Sequence, residues 1–208
     1  MINPKIVCEY SKVEYWDERY SKKKEQFDWY KSYSDLKNIL SKYILKENKI
    51  LNVGCGNSKL SEEMFLDGYS NIINIDFSSK VINLMNEIYN TKFPNLIFKH
   101  LNVFNMKDFN NEIFNIVLDK GTLDSVLSSQ NPIDNCNKMI SEIYRVLIKG
   151  GKYICISFGD LEHREKILKC EKWDNFIYEK IPKNQNENNK DFIDDEYYCY
   201  YYMYIMIK

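Results

Sequence analysis

Two glycines and an aspartate have the types and the spacing that suit a nucleotide-like ligand. Gly54 and Gly56 follow a short apolar stretch at 49–53, and an amphipathic stretch begins after them near Ser58. Because neither glycine has a Cβ atom, the chain can turn tightly and a ligand can lie against the N–H groups that open the next helix. Asp76 ends the next β-branched stretch about 20 residues further on, the spacing of one βαβ step.

The same turn allows more than one ligand. A dinucleotide site of the G-x-G-x-x-G kind needs a third small residue, but Lys59 stands in its place. An adenosyl ligand without a pyrophosphate needs only the tight turn and an acid, here Asp76, for the ribose hydroxyls. An ordinary βα turn is the alternative for Gly54 and Gly56 taken alone.

A second polar group follows the apolar stretch 114–118, where Asp119, Lys120, Gly121 and Asp124 lie close together in the sequence. The stretch reads as a fourth strand, and parallel strands of an open sheet end at the same edge. We therefore expect Asp119 and Asp124 to lie at the edge that carries the glycine turn.

The elements that position these residues are predicted from hydrophobic periodicity and turn signals. Ser34 is expected to cap a helix at 35–45. Further helices are predicted at 81–88, 132–147 and 161–170, and strands at 49–53, 71–76, 96–101, 114–118, 152–157, 173–178 and 197–207. Gly150 and Gly151 are expected to end the segment before the fifth strand. The alternation predicts an α/β fold with a seven-stranded, mostly parallel sheet and helices on both faces.

Composition limits the class of protein. A chain of 208 residues with 44% hydrophobic and 28% charged residues is expected to form one globular domain. Its net charge of −1 gives no overall attraction to nucleic acid or to an anionic membrane. The six cysteines and two histidines show no zinc-binding spacing, and no signal peptide or long apolar stretch is recognisable. We expect a cytoplasmic protein with free thiols and no metal.

Five stretches together resemble a known family. They are Tyr15–Tyr20 (Y-W-D-E-R-Y), Phe27–Tyr30, Val53–Ser58, Asn74–Ser78 and Val117–Asp124 (V-L-D-K-G-T-L-D). Between residues 15 and 157 the chain resembles the class I S-adenosylmethionine-dependent methyltransferases. Within them it is similar to the eukaryotic group that includes the lysine methyltransferases of translation elongation factor 1-alpha. The resemblance implies a Rossmann-like, doubly wound sheet whose last strand is antiparallel.

The resemblance implies S-adenosylmethionine as the cofactor and S-adenosylhomocysteine as the product. It places Trp29 at the methionine part, and Asn102 and Val103 at the adenine. Asn102 replaces the usual aspartate of the family, and a neutral acceptor makes a weaker hydrogen bond. The cofactor-binding residues expected are Trp16, Tyr20, Trp29, Gly54, Gly56, Asp76, Phe77, Asn102, Val103 and Lys120.

The aromatic residues near the amino terminus have two interpretations. Trp16 and Tyr20 share one helical face, and such pairs are often packing residues. Alternatively they form a lid over a cationic sulfonium, which aromatic rings attract. The resemblance favours the lid. We expect a single domain of residues 1–208 with a helical lid or cover (1–48), a cofactor-binding core (49–157) and a carboxyl-terminal helix and β-hairpin (158–208).

The catalytic candidates are Asp119 and Asp124, which would orient an incoming lysine ammonium and help it lose its proton. A hydrogen-bonded structural acid is the alternative for Asp119. The resemblance implies a protein-lysine methyltransferase that acts on elongation factor 1-alpha, and we expect it to be a monomer. A small-molecule methyltransferase and a cofactor-binding scaffold remain alternatives. Methylation of nucleic-acid bases is disfavoured, since no N-P-P-Y-like or Pro-Cys motif follows the fourth strand.

Overall fold

The computed structural model describes residues 9–183 and 199–208 of the chain. Helices and strands alternate through most of this range. In chain order the elements are α1 (Val13–Lys22), α2 (Tyr33–Leu40), β1 (Ile50–Val53), α3 (Leu60–Leu66), β2 (Ile72–Asp76), α4 (Ser79–Tyr89), β3 (Ile97–His100), β4 (Phe114–Lys120), α5 (Thr122–Leu127), α6 (Pro132–Val146), β5 (Leu147–Ser157), α7 (Leu161–Leu168), β6 (Asn175–Pro182) and β7 (Tyr200–Ile207).

The strands form one sheet in the order β3-β2-β1-β4-β5-β7-β6. Neighbouring strands from β3 to β5 are parallel, whereas β7 is antiparallel to both β5 and β6. This arrangement confirms the predicted doubly wound α/β fold with an antiparallel last strand. Val53 pairs with Ile75 and with Asp119, so β1, β2 and β4 end together. We call this side of the sheet the carboxyl edge.

Both faces of the sheet are buried, as the nearly continuous apolar strands predict. Successive residues of β1 face opposite sides: Ile50 packs with the core under α1 to α4, and Leu51 with the core under α5 to α7. Asn52 is buried within β1, where its amide donates to Ser61 and to Asn74 at 3.1 and 2.9 Å. Hydrogen-bonded partners remove the penalty of burying that amide.

The beginning of α2 differs from the prediction. Ser32, not Ser34, caps the helix: its hydroxyl accepts from the Asp35 N–H, and the Asp35 carboxylate accepts from the Ser32 N–H. This reciprocal arrangement satisfies two free donors and fixes the helix start earlier. The helix also ends at Leu40 instead of residue 45.

Two further elements differ from expectation. Helix α5 was not predicted, because it has only six residues and is too short to show a period. The predicted break at Gly150 does not end the segment, since β5 runs through it and Gly150 adopts a φ of 74° beside a register shift. Tyr197 and Tyr198, the first residues of the strand predicted at 197–207, lie outside the described residues.

In the part of the chain that the structure describes, no helix combines the length and apolar character needed to cross a bilayer.

Candidate functional site

A cleft of about 600 Å³ lies over the carboxyl edge of β1, β2 and β4. Residues 13–30, which are α1 and the residues that follow it, lie over the cleft, and we call them the covering segment. Its size falls in the range of about 300 to 1,000 Å³ typical of small-molecule sites. All the residues predicted to bind the cofactor contribute to its lining, namely Trp16, Tyr20, Trp29, Gly54, Gly56, Asp76, Phe77, Asn102, Val103 and Lys120. The structure therefore brings this predicted set together.

The floor of the cleft is the glycine turn. Gly54 and Gly56 have φ angles of 58° and 52°, in the left-handed region that favours glycine. A Cβ on Gly54 would lie 2.1 Å from the Thr122 hydroxyl oxygen, and one on Gly56 would lie 2.7 Å from that of Tyr20. Backbone conformation and close packing therefore both exclude a larger residue at either position.

Asp76 closes one side of the floor. Its carboxylate accepts hydrogen bonds from the N–H groups of Gly56 and Ser78, both at 2.9 Å, and the residue is 6% exposed. Burial raises the pKa of Asp76 to about 6 in spite of these donors. A carboxylate can accept about four hydrogen bonds, so the group keeps acceptor capacity for a hydroxyl of a ligand.

The far end of the cleft carries Phe77, Asn102 and Val103. The side-chain oxygen of Asn102 accepts from the Phe104 N–H at 2.9 Å. It therefore shares its acceptor capacity between a local turn and any ligand. The carbonyl oxygen of Phe77 lies 3.0 Å from His100 Nε2, within hydrogen-bond distance.

Aromatic rings form the opposite wall. Trp16 stacks on Tyr20 with ring centroids 5.8 Å apart, and Trp29 meets Trp16 edge-on at 6.3 Å. The indole N–H of Trp16 donates to the Tyr10 carbonyl at 2.7 Å, which leaves the ring faces for packing. Trp16 and Tyr20 are buried in the core and also line the cleft. Their packing is therefore observed, and the lid over a sulfonium stays a prediction.

Arg19 was not among the predicted site residues, although it lines the cleft. Its guanidinium lies 5.4 Å from the Phe27 ring centroid and 5.6 Å from that of Trp29, within cation–π range. The signal was present in the Y-W-D-E-R-Y motif, since Arg19 follows Trp16 by one helical turn.

Lys120 connects the sheet to the covering segment. Its ammonium donates to the Asp28 carboxylate and to the Trp29 carbonyl, both at 2.9 Å, and its side chain is 5% exposed. Ser58 donates to the same Asp28 oxygen. The pKa of Lys120 is lowered, chiefly by burial, although Asp28 opposes the shift. We refer to Lys120, Asp28 and Ser58 as the latch.

The two acids predicted to be catalytic lie in different surroundings. Asp119 is fully buried and is not part of the cleft lining. Its carboxylate accepts from the Tyr153 hydroxyl at 2.9 Å and from the N–H groups of Thr122 and Leu123 at 2.7 and 3.1 Å. Burial raises the pKa of Asp119 to about 7. This geometry gives Asp119 the position of a structural acid that holds the start of α5.

Asp124, by contrast, lines the cleft. Its carboxylate accepts from the Tyr30 hydroxyl, the Ser157 hydroxyl and the Arg164 guanidinium, each at 2.7 Å. Tyr30 has a φ of 64° and also lines the cleft, and burial beside Asp124 raises the pKa of its hydroxyl. Neither Tyr30 nor Arg164 was predicted as a site residue, and the positive φ of Tyr30 is not visible in the sequence.

These features fit the ligand expected from the sequence. The glycine turn permits close approach, Asp76 suits ribose hydroxyls, and the indole rings of Trp16 and Trp29 suit a sulfonium. Among the described residues no cluster of three or more histidine, cysteine or acidic side chains is arranged to hold a metal ion.

Comparison with known sequences supports the same ligand. The family described as a methyltransferase domain matches residues 44–200. The human "eEF1A lysine and N-terminal methyltransferase" is 41% identical over 168 residues, which are 79% of this chain but 24% of that protein. The mouse "EEF1A lysine methyltransferase 4" is 32% identical over 164 residues, or 74% of this chain and 64% of that protein. The chain thus spans about a quarter of the human relative's length.

Solved structures share the fold at low sequence identity. A SAM-dependent methyltransferase from Methanosarcina mazei superposes with a TM-score of 0.59 and 19% identity, covering 88% of this chain and 99% of that one. The Haemonchus contortus phosphoethanolamine N-methyltransferase 2 in complex with S-adenosyl-L-methionine gives a TM-score of 0.60 at 14% identity, covering 84% and 52%.

Proposed function

The chain belongs to the methyltransferase-domain family, whose cofactor is S-adenosylmethionine, and we propose that it methylates a lysine of translation elongation factor 1-alpha. The observation that carries the proposal is the 41% identity to the human relative over 79% of this chain. The mouse relative, of which the chain spans 64%, is named for lysine methylation alone. That similarity favours a lysine over an amino terminus as the acceptor.

The proposed binding mode follows the lining of the cleft. Asp76 accepts from the ribose hydroxyls, while Asn102 and the Val103 backbone receive the adenine. Trp16 and Trp29 face the sulfonium, with Tyr20 and Phe77 completing the walls. Arg19 lines the cleft with its guanidinium near the rings of Phe27 and Trp29, and it pairs with the carboxylate of the cofactor.

The acceptor side of the proposed site is the wall formed by Tyr30 and Asp124. When bound, S-adenosylmethionine supplies a methyl group that is already electrophilic, so the chain has to orient a neutral amine and exclude water. The Tyr30 hydroxyl donates to Asp124, which holds it at the wall. A lone pair of the Tyr30 oxygen can then accept a hydrogen bond from the incoming amine. Arg164 neutralises Asp124, which makes Asp124 a positioning residue in this proposal.

In this proposal the covering segment excludes water from the cleft. The latch fixes Asp28 and Trp29 over the carboxyl edge, and the Asn57 amide donates to the Glu25 carbonyl at 2.7 Å. Ser78 donates to Asp17 at 2.5 Å, which ties α1 to the start of α4. We infer that the segment acts as the lid predicted from the sequence.

The test is mass spectrometry of elongation factor 1-alpha after incubation with the protein and cofactor. We expect methyl groups on a lysine, and a kcat lower by roughly tenfold in Tyr30→Phe and Asp124→Asn, since each loses a hydrogen bond to a charged group. Asp134→Asn, an exposed acid at the start of α6, is the matched control and should behave as wild type. Methylation of the amino terminus only, or of a small molecule and no lysine, would contradict the proposal.

A further inference from the structure

Two aromatic rings lie at the carboxyl edge on the side away from the glycine turn. Phe158 directly follows β5 and Tyr201 is near the start of β7, and their ring centroids are 6.5 Å apart. The ammonium of Lys183, just beyond β6, lies 4.4 Å from the Phe158 centroid and 4.8 Å from that of Tyr201. Both distances are within cation–π range, so the pair already holds one ammonium group. We call Phe158 and Tyr201 the aromatic pair.

The aromatic pair adjoins the wall proposed to face the acceptor. The Tyr201 ring lies 4.8 Å from the Tyr30 ring, and the Phe158 N–H donates to the Asp124 carboxylate at 3.1 Å. In the strand order, β1 and β2 carry the cofactor residues, whereas β5 and β7 lie beyond β4 on the other side. An acceptor segment that delivers a lysine to Tyr30 and Asp124 from this side would pass over the aromatic pair.

We propose that the aromatic pair is a subsite for a cationic side chain of the protein acceptor, one that flanks the methylated lysine, and that Lys183 occupies this subsite in the free chain. The proposal rests on the proposed function and adds the substrate class: a basic segment with a lysine or arginine beside its target. Lys183 presents the same ammonium that the acceptor would bring. An acceptor therefore displaces Lys183 on binding, and Lys183 acts as an internal competitor.

The rings attract a cation through their electron-rich faces. Loss of a ring and loss of the competitor Lys183 therefore have opposite effects on the KM for the acceptor. Phe158, Tyr201 and Lys183 are partly buried, and a cation–π contact at such a site changes affinity by about two- to fivefold. Phe158→Leu is expected to raise the KM for elongation factor 1-alpha by about two- to fivefold. Lys183→Met is expected to lower the same KM by about the same factor, with kcat unchanged in both variants.

Lys180→Met is the matched control. Lys180 lies on β6, three residues before Lys183, and its ammonium is 5.4 Å from the ring centroid of Tyr200, so it makes the same type of contact at a different ring. The KM of Lys180→Met for the acceptor should equal that of wild type. Calorimetry should give one affinity for S-adenosylhomocysteine in all the variants, and Tyr201→Leu replaces Phe158→Leu if the latter does not fold. Equal KM values for Lys183→Met and Lys180→Met would overturn the proposal, as would an effect confined to kcat.

A second measurement separates this proposal from the choice of acceptor. Lysine side chains are converted to isotope-labelled dimethyl-lysine, and the NMR signal of Lys183 is identified by its loss in Lys183→Arg. We expect a ring-current shift that disappears in Phe158→Leu, and a move toward the exposed-lysine position on titration with n-butylammonium. If wild type methylates no lysine of elongation factor 1-alpha, the proposed function fails, while this titration still reports on the subsite. An unshifted Lys183 signal, or one that n-butylammonium does not move, would refute the subsite.

Discussion

At the scale of single residues, two acids at strand ends show how surroundings decide a role. Asp76 and Asp119 both have raised pKa values, about 6 and about 7, because both are buried. Asp119 does not line the cleft, and its carboxylate accepts from the Tyr153 hydroxyl and from the N–H groups of Thr122 and Leu123. Asp76 faces the cleft with lone pairs to spare. In our proposal, the same residue type at the same kind of position therefore serves structure in one case and a ligand in the other.

Asp76 leads to a prediction about pH. Ribose hydroxyls donate more strongly to a carboxylate than to a carboxylic acid, so affinity for S-adenosylhomocysteine is expected to increase as pH rises through about 6, the pKa of Asp76 in the free chain. Asp76→Asn keeps one acceptor and should bind roughly tenfold or more weakly at pH 8, with a flatter pH profile. Calorimetry between pH 5 and pH 8 measures both. An affinity for wild type that falls as pH rises through 6 would contradict the assignment.

At the scale of elements, the covering segment is held to the sheet by contacts that are distant in sequence. The latch joins Lys120 to Asp28 through a largely buried pair, with side chains 5% and 19% exposed. Removing one partner of such a pair leaves the other charge without its counter-ion, which is strongly unfavourable. The ion pair between Lys22 and Glu18 on the same segment is exposed, with side chains 70% and 64% exposed. Such exposed pairs contribute little to stability.

The latch is tested by Lys120→Met. We expect cleavage within residues 14–30 by trypsin to become roughly tenfold faster, because the charged hydrogen bonds to Asp28 and Trp29 are lost. We also expect S-adenosylhomocysteine to protect the wild-type segment and to protect the variant less. Glu18→Gln removes an exposed pair while keeping the lysines that trypsin recognises, and should be cleaved as wild type. Equal cleavage of Lys120→Met and Glu18→Gln would show that the segment is held by its aromatic packing alone.

At the scale of the whole molecule, stability depends on two apolar layers, one on each face of the sheet. Helix α6 illustrates the asymmetry of such a layer. Ile143 is fully buried, whereas Ile133 on the same helix is 53% exposed. Only the buried side chain contributes its full apolar area to the folded state.

We therefore expect Ile143→Ala to lower the free energy of unfolding by about 2 to 5 kcal/mol, from lost burial and the cavity left behind. Ile133→Ala, the matched control, should change it by less than about 0.5 kcal/mol. Urea denaturation followed by circular dichroism measures both values. Similar losses in the two variants would mean that the face of α6 toward the sheet is assigned wrongly.

The sequence by itself determined the fold class and the residues around the cleft floor, whereas the strand order came from the structure. Apolar stretches with a clear period mark the strands, and Gly54, Gly56 and Asp76 fall at strand ends whose meeting place follows from parallel pairing alone. The sequence pattern did not predict structure correctly where the element or its capping signal spans only a few residues. Helix α5 has too few residues to show a period, and the cap of α2 depends on a hydrogen bond between Ser32 and Asp35 that competes with the equally suitable Ser34.

Only the tertiary structure decided which acid faces the cleft and what holds the covering segment. Asp119 and Asp124 are the same residue type, five positions apart. Asp119 lies at the end of β4 and contacts Tyr153 in the core, whereas Asp124 lies on α5 and contacts Tyr30. The pairs Lys120–Asp28 and Tyr30–Asp124 join residues 92 and 94 positions apart. Periodicity reports only which face of its own element a residue occupies, and a contact between two distant segments is fixed by how their elements pack.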